Sequence, residues 1–288
     1  MRFTTYLQGA QPRLAVVDGA AAIDLAAAVP GTPADLRAAL EAGIDLHAAA
    51  QRAIASAAPR LPLAGLALAP IVPEPGKIVC LGLNYFDHAK EGGRDKPDYP
   101  WFFYRGKSSL MGHGQPGLLP KESSKFDYEA ELAVVIGRKV PRHVAQADAL
   151  PYVFGYSCFN DMSVRDYQKR TPQWTIGKNF DGTGGFGPVL VSADELAPGA
   201  TGLRICSRLN GQVMQDANTD DMIFTVAETI ALLADCMTLE PGDVLVMGTP
   251  AGVGQARTPP VWMKAGDTIE IDIQHIGVLS NPIVAEAG

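Results

Sequence analysis

Several things are missing from this 288-residue chain, and each absence excludes something. No run of lysine and arginine occurs and the net charge is −7, which leaves nothing to hold a phosphate backbone and argues against nucleic acid as a partner. No stretch approaches the roughly 18 consecutive apolar residues of a membrane span, so no membrane partner is expected. The opening MRFTTYLQGA has neither a charged n-region nor an apolar core, and a cytoplasmic protein is the expectation. The four cysteines, Cys80, Cys158, Cys206 and Cys236, are far apart. They suggest neither a disulfide framework nor a zinc site, and we read them as buried reduced thiols. No GxxxxGK[ST] phosphate loop is present. Gly112-His113-Gly114 lacks the third glycine of a dinucleotide fingerprint. The run from Gly182 to Gly187 matches GxGxxG by letter, but it leads into Pro188 and a strand-like VLV instead of opening a helix, so a flexible loop is expected there.

What is present begins with FDYEAELAVVIG, residues 126–137, which sets Asp127, Glu129 and Glu131 at alternate positions. In a strand, residues i, i+2 and i+4 share a face, so the three carboxylates would stand in one row. Taken alone, the row fits a solvated face. It also continues into Ala133 and Val135, as a face entering a covered interior would, and covered carboxylates need a cation because like charges held close neutralise one another. A hard-metal site is the sharper of these two readings.

The first 18 residues read as a β-hairpin about Gly-Ala-Gln-Pro. Alanine-rich helices follow over 20–28, 33–42 (Thr32 as cap) and 44–58, the last carrying a lone His47. Five prolines in 59–76 make an extended connector, and a domain boundary is placed near residue 75: a small N-terminal α/β domain over 1–75, and the main domain over 76–288. KIVCLGLNY is a buried strand, and a short helix over 85–91 would make His88 and Glu91 neighbours at i, i+3, where a carboxylate orients an imidazole. The GGRDKPDYP that follows permits movement. An aromatic strand then carries Arg105 and Lys107. VFGYSCFND brings Asp161 to the end of a buried strand, where it could be a helix cap or a ligand, ahead of Arg165 and Gln168. Lys178, among glycines and aromatics, could clamp an anion. Asn210-Gly211 marks a tight hairpin, and 219–237 reads as an amphipathic helix capped by Thr219. A glycine-rich loop carrying Thr249 offers backbone N–H groups to a carboxylate. Glu270 and Asp272 alternate with isoleucines and look like a solvated face.

In order, LGLNYFDHAKE, FDYEAELAVVIG, FNDMSVRDYQ, QWTIGKNFD, LNGQVMQDANTDDMIF and LEPGDVLVMGTPAGVG resemble the fumarylacetoacetate hydrolase superfamily over residues 77–283. The resemblance implies a β-rich α+β fold, a mixed roll of strands around a metal site, in a homodimer. It implies Glu129, Glu131 and Asp161 as metal ligands, Lys178 and the Thr249 loop on substrate oxygens, and His88 with Glu91 as a lid dyad. Arg105 stands where members of the family commonly carry lysine, and it is placed with Arg165 and Gln168 among the substrate contacts.

Three carboxylates supply oxygen ligands alone, which suits Mg2+ or Mn2+, with Ca2+ as the remaining candidate. A 2-oxo acid can chelate at such a site. The main expectation is hydrolytic C–C cleavage of a 2,4-dioxo acid of the acylpyruvate or fumarylpyruvate type: His88, oriented by Glu91, activates water, Lys178 stabilises oxyanion charge, and the metal holds the departing enolate. Oxaloacetate-type decarboxylation or keto–enol isomerisation on the same site is the alternative. A metal-stabilised scaffold without turnover is the non-enzymatic one.

Overall fold

A computed structural model describes residues 1–93 and 95–287. Arg94, within the segment expected to permit movement, lies outside the described residues. The fold is α+β and rich in sheet. A long mixed sheet runs, in spatial order, through Leu61–Pro62, Ala21–Asp24, Gln11–Asp18, Arg2–Gln8, Gly184–Ser192, Val153–Asp161, Ala130–Ile136, Val244–Val246, Ile78–Gly82 and Trp101–Arg105. A second sheet of five strands, Gln212–Asn218, Arg204–Leu209, Thr268–Ile273, Gly277–Ala285 and Gly117–Leu119, packs over one of its faces.

The central strand Ala130–Ile136 is buried along its whole length, so both of its faces are covered. Leu132, Val134 and Ile136 join the core shared with the five-stranded sheet, including Ile269, Ile271 and Leu279. Ala133 and Val135 join a second core with Phe3, Leu14, Leu36, Ala49 and Phe159. Glu131 shares the parity of Ala133 and Val135, and Phe159 lies opposite it in register. The face carrying Glu131 therefore points toward the N-terminal helices, and the solvated alternative does not hold.

The first 75 residues share a sheet and a core with the remainder. Arg2 and Phe3 pair with Val191 and Leu190, and the second core mixes Leu14, Val16 and Ala50 with Ile78, Val244 and Phe186. The expected hairpin forms, with Gln8 opposite Gln11. Of the expected helix over 20–28 only Leu25–Ala28 is helical, because Ala21–Asp24 extends the sheet beside Gln11–Asp18. The next two helices shorten to Leu36–Glu41 and Leu46–Ala55, each starting after an aspartate cap (Asp35, Asp45) and not after Thr32.

Further along, Thr219 opens a single 3-10 turn, and the α-helix begins only at Val226 with Thr225 as its cap. Only the start of the Gly182–Gly187 segment is a turn: Gly184–Ser192 is an interior strand of the large sheet, buried except at Pro188. Glu270 and Asp272 lie partly exposed and both pair with Arg208, at 3.1 and 3.0 Å. Cys80, Cys158 and Cys206 are buried, whereas Cys236 is exposed. Among the described residues no helix is long and apolar enough to cross a membrane.

Asp24 fastens the N-terminal part. It caps Leu25–Ala28 through the Ala27 N–H, accepts from the Tyr6 hydroxyl at 2.8 Å, and takes two bonds from Arg13 at 2.7 and 2.9 Å. Burial would raise its pKa, but Arg13, the Ala27 amide and Tyr6 outweigh that and hold it below the ordinary 3.8. Its contribution is complete above that ordinary value and is lost as pH falls through the lowered one. Replacing Asp24 by Ala should cost about 2–3 kcal/mol by urea denaturation at pH 7. The difference from wild type should narrow in acid, and a cost that is the same at acid pH would rule out the charged carboxylate as the cause.

Candidate active site

Two adjacent central strands end together, and the acids sit at that end. Glu129 lies just outside Ala130–Ile136 and opposite Asp161, whose amide donates to the Glu129 carbonyl at 3.0 Å. Glu131 follows two residues on with the same parity. Ligand atoms of Glu129, Glu131 and Asp161 all lie within 4.8 Å of one another, and all three residues are buried.

Asp127 leaves the row. The strand is interrupted at Tyr128 and Glu129, and Phe126–Asp127 pairs instead with Ser163–Val164. The Asp127 carboxylate accepts from the amides of Tyr128, Gly254 and Gln255 at 2.9, 2.7 and 3.0 Å and from Arg165 Nε at 2.8 Å. It is a fastening point for two loops, which accounts for an acid that the strand pattern could not place.

Three buried cations answer these acids. Lys178 Nζ reaches Glu129 at 2.5 Å and Asp161 at 2.6 Å, and Arg165 bridges Asp127 and Glu129, the latter at 2.7 Å. Arg105 donates through Nε to Asp161, and through Nη2 to the carbonyls of Met162 and Thr183 at 2.6 and 3.2 Å. Its guanidinium is thus committed behind Asp161 and is not among the groups lining the cavity, where the sequence had placed it with the substrate contacts. Burial pushes the Glu129 carboxyl up, but Arg165 and Lys178 override it and hold the pKa far below the usual range. Glu131 has the opposite balance. Burial, reinforced by the charges of Asp161 and Glu129, holds its pKa well above the usual value.

This donor set fits a hard divalent cation. It offers oxygens alone, and Glu131, whose Oε2 accepts from the Gly248 N–H at 2.6 Å, has no ion pair among the described residues. Asp127 and the triad together are four acids facing three cations, Arg105, Arg165 and Lys178, so ionising Glu131 leaves one negative charge that a bound cation would relieve. Gly248 can turn its N–H inward because its φ is +87°, a conformation strained for other residues, and a Cβ there would meet Asn84 at 2.6 Å. Asn84 braces the same loop by donating to the carbonyls of Phe224 and Met247 at 3.1 and 2.7 Å while accepting from the Phe224 amide.

A cavity of about 310 Å3 opens onto the triad, a size suited to a small acid. His88, Glu91, Glu129, Glu131 and Lys178 line it, as do Arg165, Gln168 and Thr249. The short helix Phe86–Glu91 forms as expected, with His88 Nδ1 and Glu91 Oε1 2.8 Å apart. Glu91 is tied across the cavity by the Gly252 N–H at 3.0 Å. Thr249 Oγ1 accepts from Gln215 Nε2 at 2.7 Å, and Gln215 Oε1 in turn accepts from the Ala130 amide at 3.0 Å. Sequence reasoning missed Asn84 and Gln215, both buried amides, and Trp174, whose ring stacks on Trp101 at 5.4 Å. Trp174 packs so closely on Gly82 that a Cβ there would fall 2.0 Å from its ring, and a glycine ending an apolar strand was the available signal. It also missed Lys169 and Gln255, which line the cavity and whose side chains gave no pattern.

Two strands thus end together at a buried three-carboxylate site, with a histidine–glutamate pair lining the adjoining cavity. A family model described as fumarylacetoacetate (FAA) hydrolase C-terminal matches residues 77–284, and the chain belongs to that family. It is 39% identical over 281 residues to the human protein named oxaloacetate tautomerase FAHD2A, mitochondrial, covering 97% of this chain and 89% of that one. To oxaloacetate tautomerase YisK of Bacillus subtilis (strain 168) it is 44% identical over 216 residues, 74% of this chain and 71% of the relative. Among solved structures it is similar to a maleylpyruvate hydrolase from Sphingobium sp. SYK-6 in complex with manganese(II) ion and pyruvate. That likeness has a TM-score of 0.83 and 31% identity, with both chains covered in full. The triad here and the manganese in that relative together support a divalent metal site.

Two substitutions test the electrostatics. Glu131→Gln relieves the uncompensated acid, so the metal-free protein should melt at the same temperature or higher, while calorimetric Mn2+ affinity should fall on the order of 100-fold, at the upper end of what even outer-shell changes cost. Undiminished Mn2+ binding would remove Glu131 from the ligand set. Arg105→Met strips Asp161 of a buried partner and should cost about 3–5 kcal/mol in chemical denaturation. A loss under 1 kcal/mol, roughly that of an exposed pair, would contradict the burial argument.

Proposed function

We propose that this enzyme interconverts the keto and enol forms of a 2-oxo acid of the oxaloacetate type, with Mg2+ or Mn2+ at Glu129, Glu131 and Asp161. The observation that carries the proposal is the shared cavity, in which one base faces one cation site. The His88–Glu91 pair lines the same space as Glu129, Glu131 and Lys178, and Asp161 lies against the two glutamates. Tautomerisation needs one base, one stabiliser of oxygen charge and an oriented substrate, and no separate nucleophile.

Glu91 takes the Nδ1 side of the imidazole, which leaves Nε2 as the basic nitrogen. His88 then moves a proton between substrate C3 and solvent or the enol oxygen. Lys178 lowers the cost of negative charge on that oxygen, and Gln168 and Thr249 orient the acid. A bound divalent cation supplies Lewis acidity for a 2-oxo carboxylate. The identities of 39% and 44% to proteins named oxaloacetate tautomerases favour this reading over C–C hydrolysis, the main expectation from the sequence.

Hydrolysis is the second reading, favoured by the likeness to maleylpyruvate hydrolase. The same His88 would there deprotonate a water. Homodimeric assembly belongs to the proposal as well, resting on the resemblance.

Enol-oxaloacetate diluted into buffer with Mn2+-loaded enzyme should lose its enol absorbance faster than in buffer alone, while 2,4-dioxo acids release no pyruvate. Rapid pyruvate release with no effect on the enol would reverse the order of the two readings. His88→Ala should lower kcat on the order of 10²–10⁴-fold with Mn2+ affinity unchanged. Full activity in that variant would remove His88 from the mechanism.

A further inference from the structure

Lys169 closes the helical turn Arg165–Gln168, its amide donating to the Arg165 carbonyl at 3.1 Å, and it lines the cavity where the cavity meets solvent. The other two cations lining the cavity are committed, Arg165 to Asp127 and Glu129, and Lys178 to Glu129 and Asp161. Among the described residues Lys169 has no ion pair. Partial burial, then the charges of Arg165 and Lys125, outweigh the pull of Asp127 and hold its ammonium below its ordinary pKa. An anion at this rim would relieve that repulsion.

The same wall carries a second unmet polar group. The Gln255 amide donates to Asp127 Oδ2 at 3.0 Å, and the same oxygen takes Arg165 Nε at 2.8 Å, so Asp127 joins the Arg165–Lys169 turn and the Gly254–Ala256 turn into one wall. The Gln255 side chain also lines the cavity, and its Oε1 is buried without a hydrogen-bond partner. Oxygen and nitrogen of a side-chain amide exchange places by a simple flip, so this end can donate to a carboxylate as readily as accept.

We infer that Lys169, with the Gln255 amide on the same wall, binds the second carboxylate of a dicarboxylic 2-oxo acid and makes the site selective for dianions over monocarboxylates. The carboxylate triad takes the 2-oxo end through its cation, and this rim takes the far end. The inference rests on the 2-oxo-acid reading proposed above, and it names the residues that would set substrate class within it.

The test is binding without turnover. L-Malate and L-lactate share a 2-hydroxy acid head and differ in the second carboxylate, and each is titrated calorimetrically into Mn2+-loaded protein. Wild type should prefer malate, and Lys169→Met should weaken malate binding on the order of five- to tenfold while leaving lactate unchanged, with Lys169→Arg keeping most of the preference. A wild type with no preference for malate would overturn the inference, as would a Lys169→Met variant that weakens both acids equally. Preference for malate without any effect on enol-oxaloacetate would sink the proposed tautomerisation and leave the rim assignment standing; tautomerisation without that preference would do the reverse.

Discussion

Four carboxylates, Asp127, Glu129, Glu131 and Asp161, are buried close together, and most of the site's design follows from offsetting the cost of that burial. Taking a carboxylate out of water costs several kcal/mol unless a partner meets it. Asp127, Glu129 and Asp161 are met by Arg165, Lys178 and Arg105 together with a set of inward-facing amides. Glu131 is left with one backbone N–H and the repulsion of its neighbours. The imbalance falls where an all-oxygen cation site would need it, and the fully paired acids around it keep the surroundings rigid.

Rigidity is supplied by position in the sheet. The ligand-bearing ends belong to the central strands Ala130–Ile136 and Val153–Asp161, flanked on both sides by other strands and covered on both faces. The groups that would meet substrate come from less regular segments: the Phe86–Glu91 helix, the turn after Ser163–Val164, and the loop beyond Val246. Each is tied to its surroundings, through Gly252 to Glu91, through Asp127 to Arg165, and through Gln215 to Thr249. A central scaffold with tethered loops suits an enzyme that must fix a cation and still admit a small acid.

Local chemistry made much of this legible in advance. The parity of Glu129 and Glu131, the i, i+3 spacing of His88 and Glu91, and Asp161 at a strand end are all short-range patterns, and the structure brings the first four to one cavity with Asp161 beside the two glutamates. Errors arose where a short-range signal competed with a long-range one. Alanines 20–22 favour helix, but Ala21–Asp24 finds a strand partner in Gln11–Asp18. The Gly182–Gly187 glycines favour a loop, but strands on both sides impose extended backbone, and there the lack of side chains permits close approach: a Cβ on Gly185 would lie 2.8 Å from Asn281.

The sequence by itself determined the residue types, their parity along each strand and the family, because period-2 alternation and short motifs are written in consecutive residues. It could not decide which cation would answer which acid. Arg105, 56 residues from Asp161, and Lys178, 49 residues from Glu129, reach their partners only through sheet order. Nor could it show that Asp127 is drawn out of the row by amides more than a hundred residues away, or that Lys169 forms no ion pair among the described residues. Those outcomes depend on desolvation and on pairing across the sheet, and neither exists until the strands have come together.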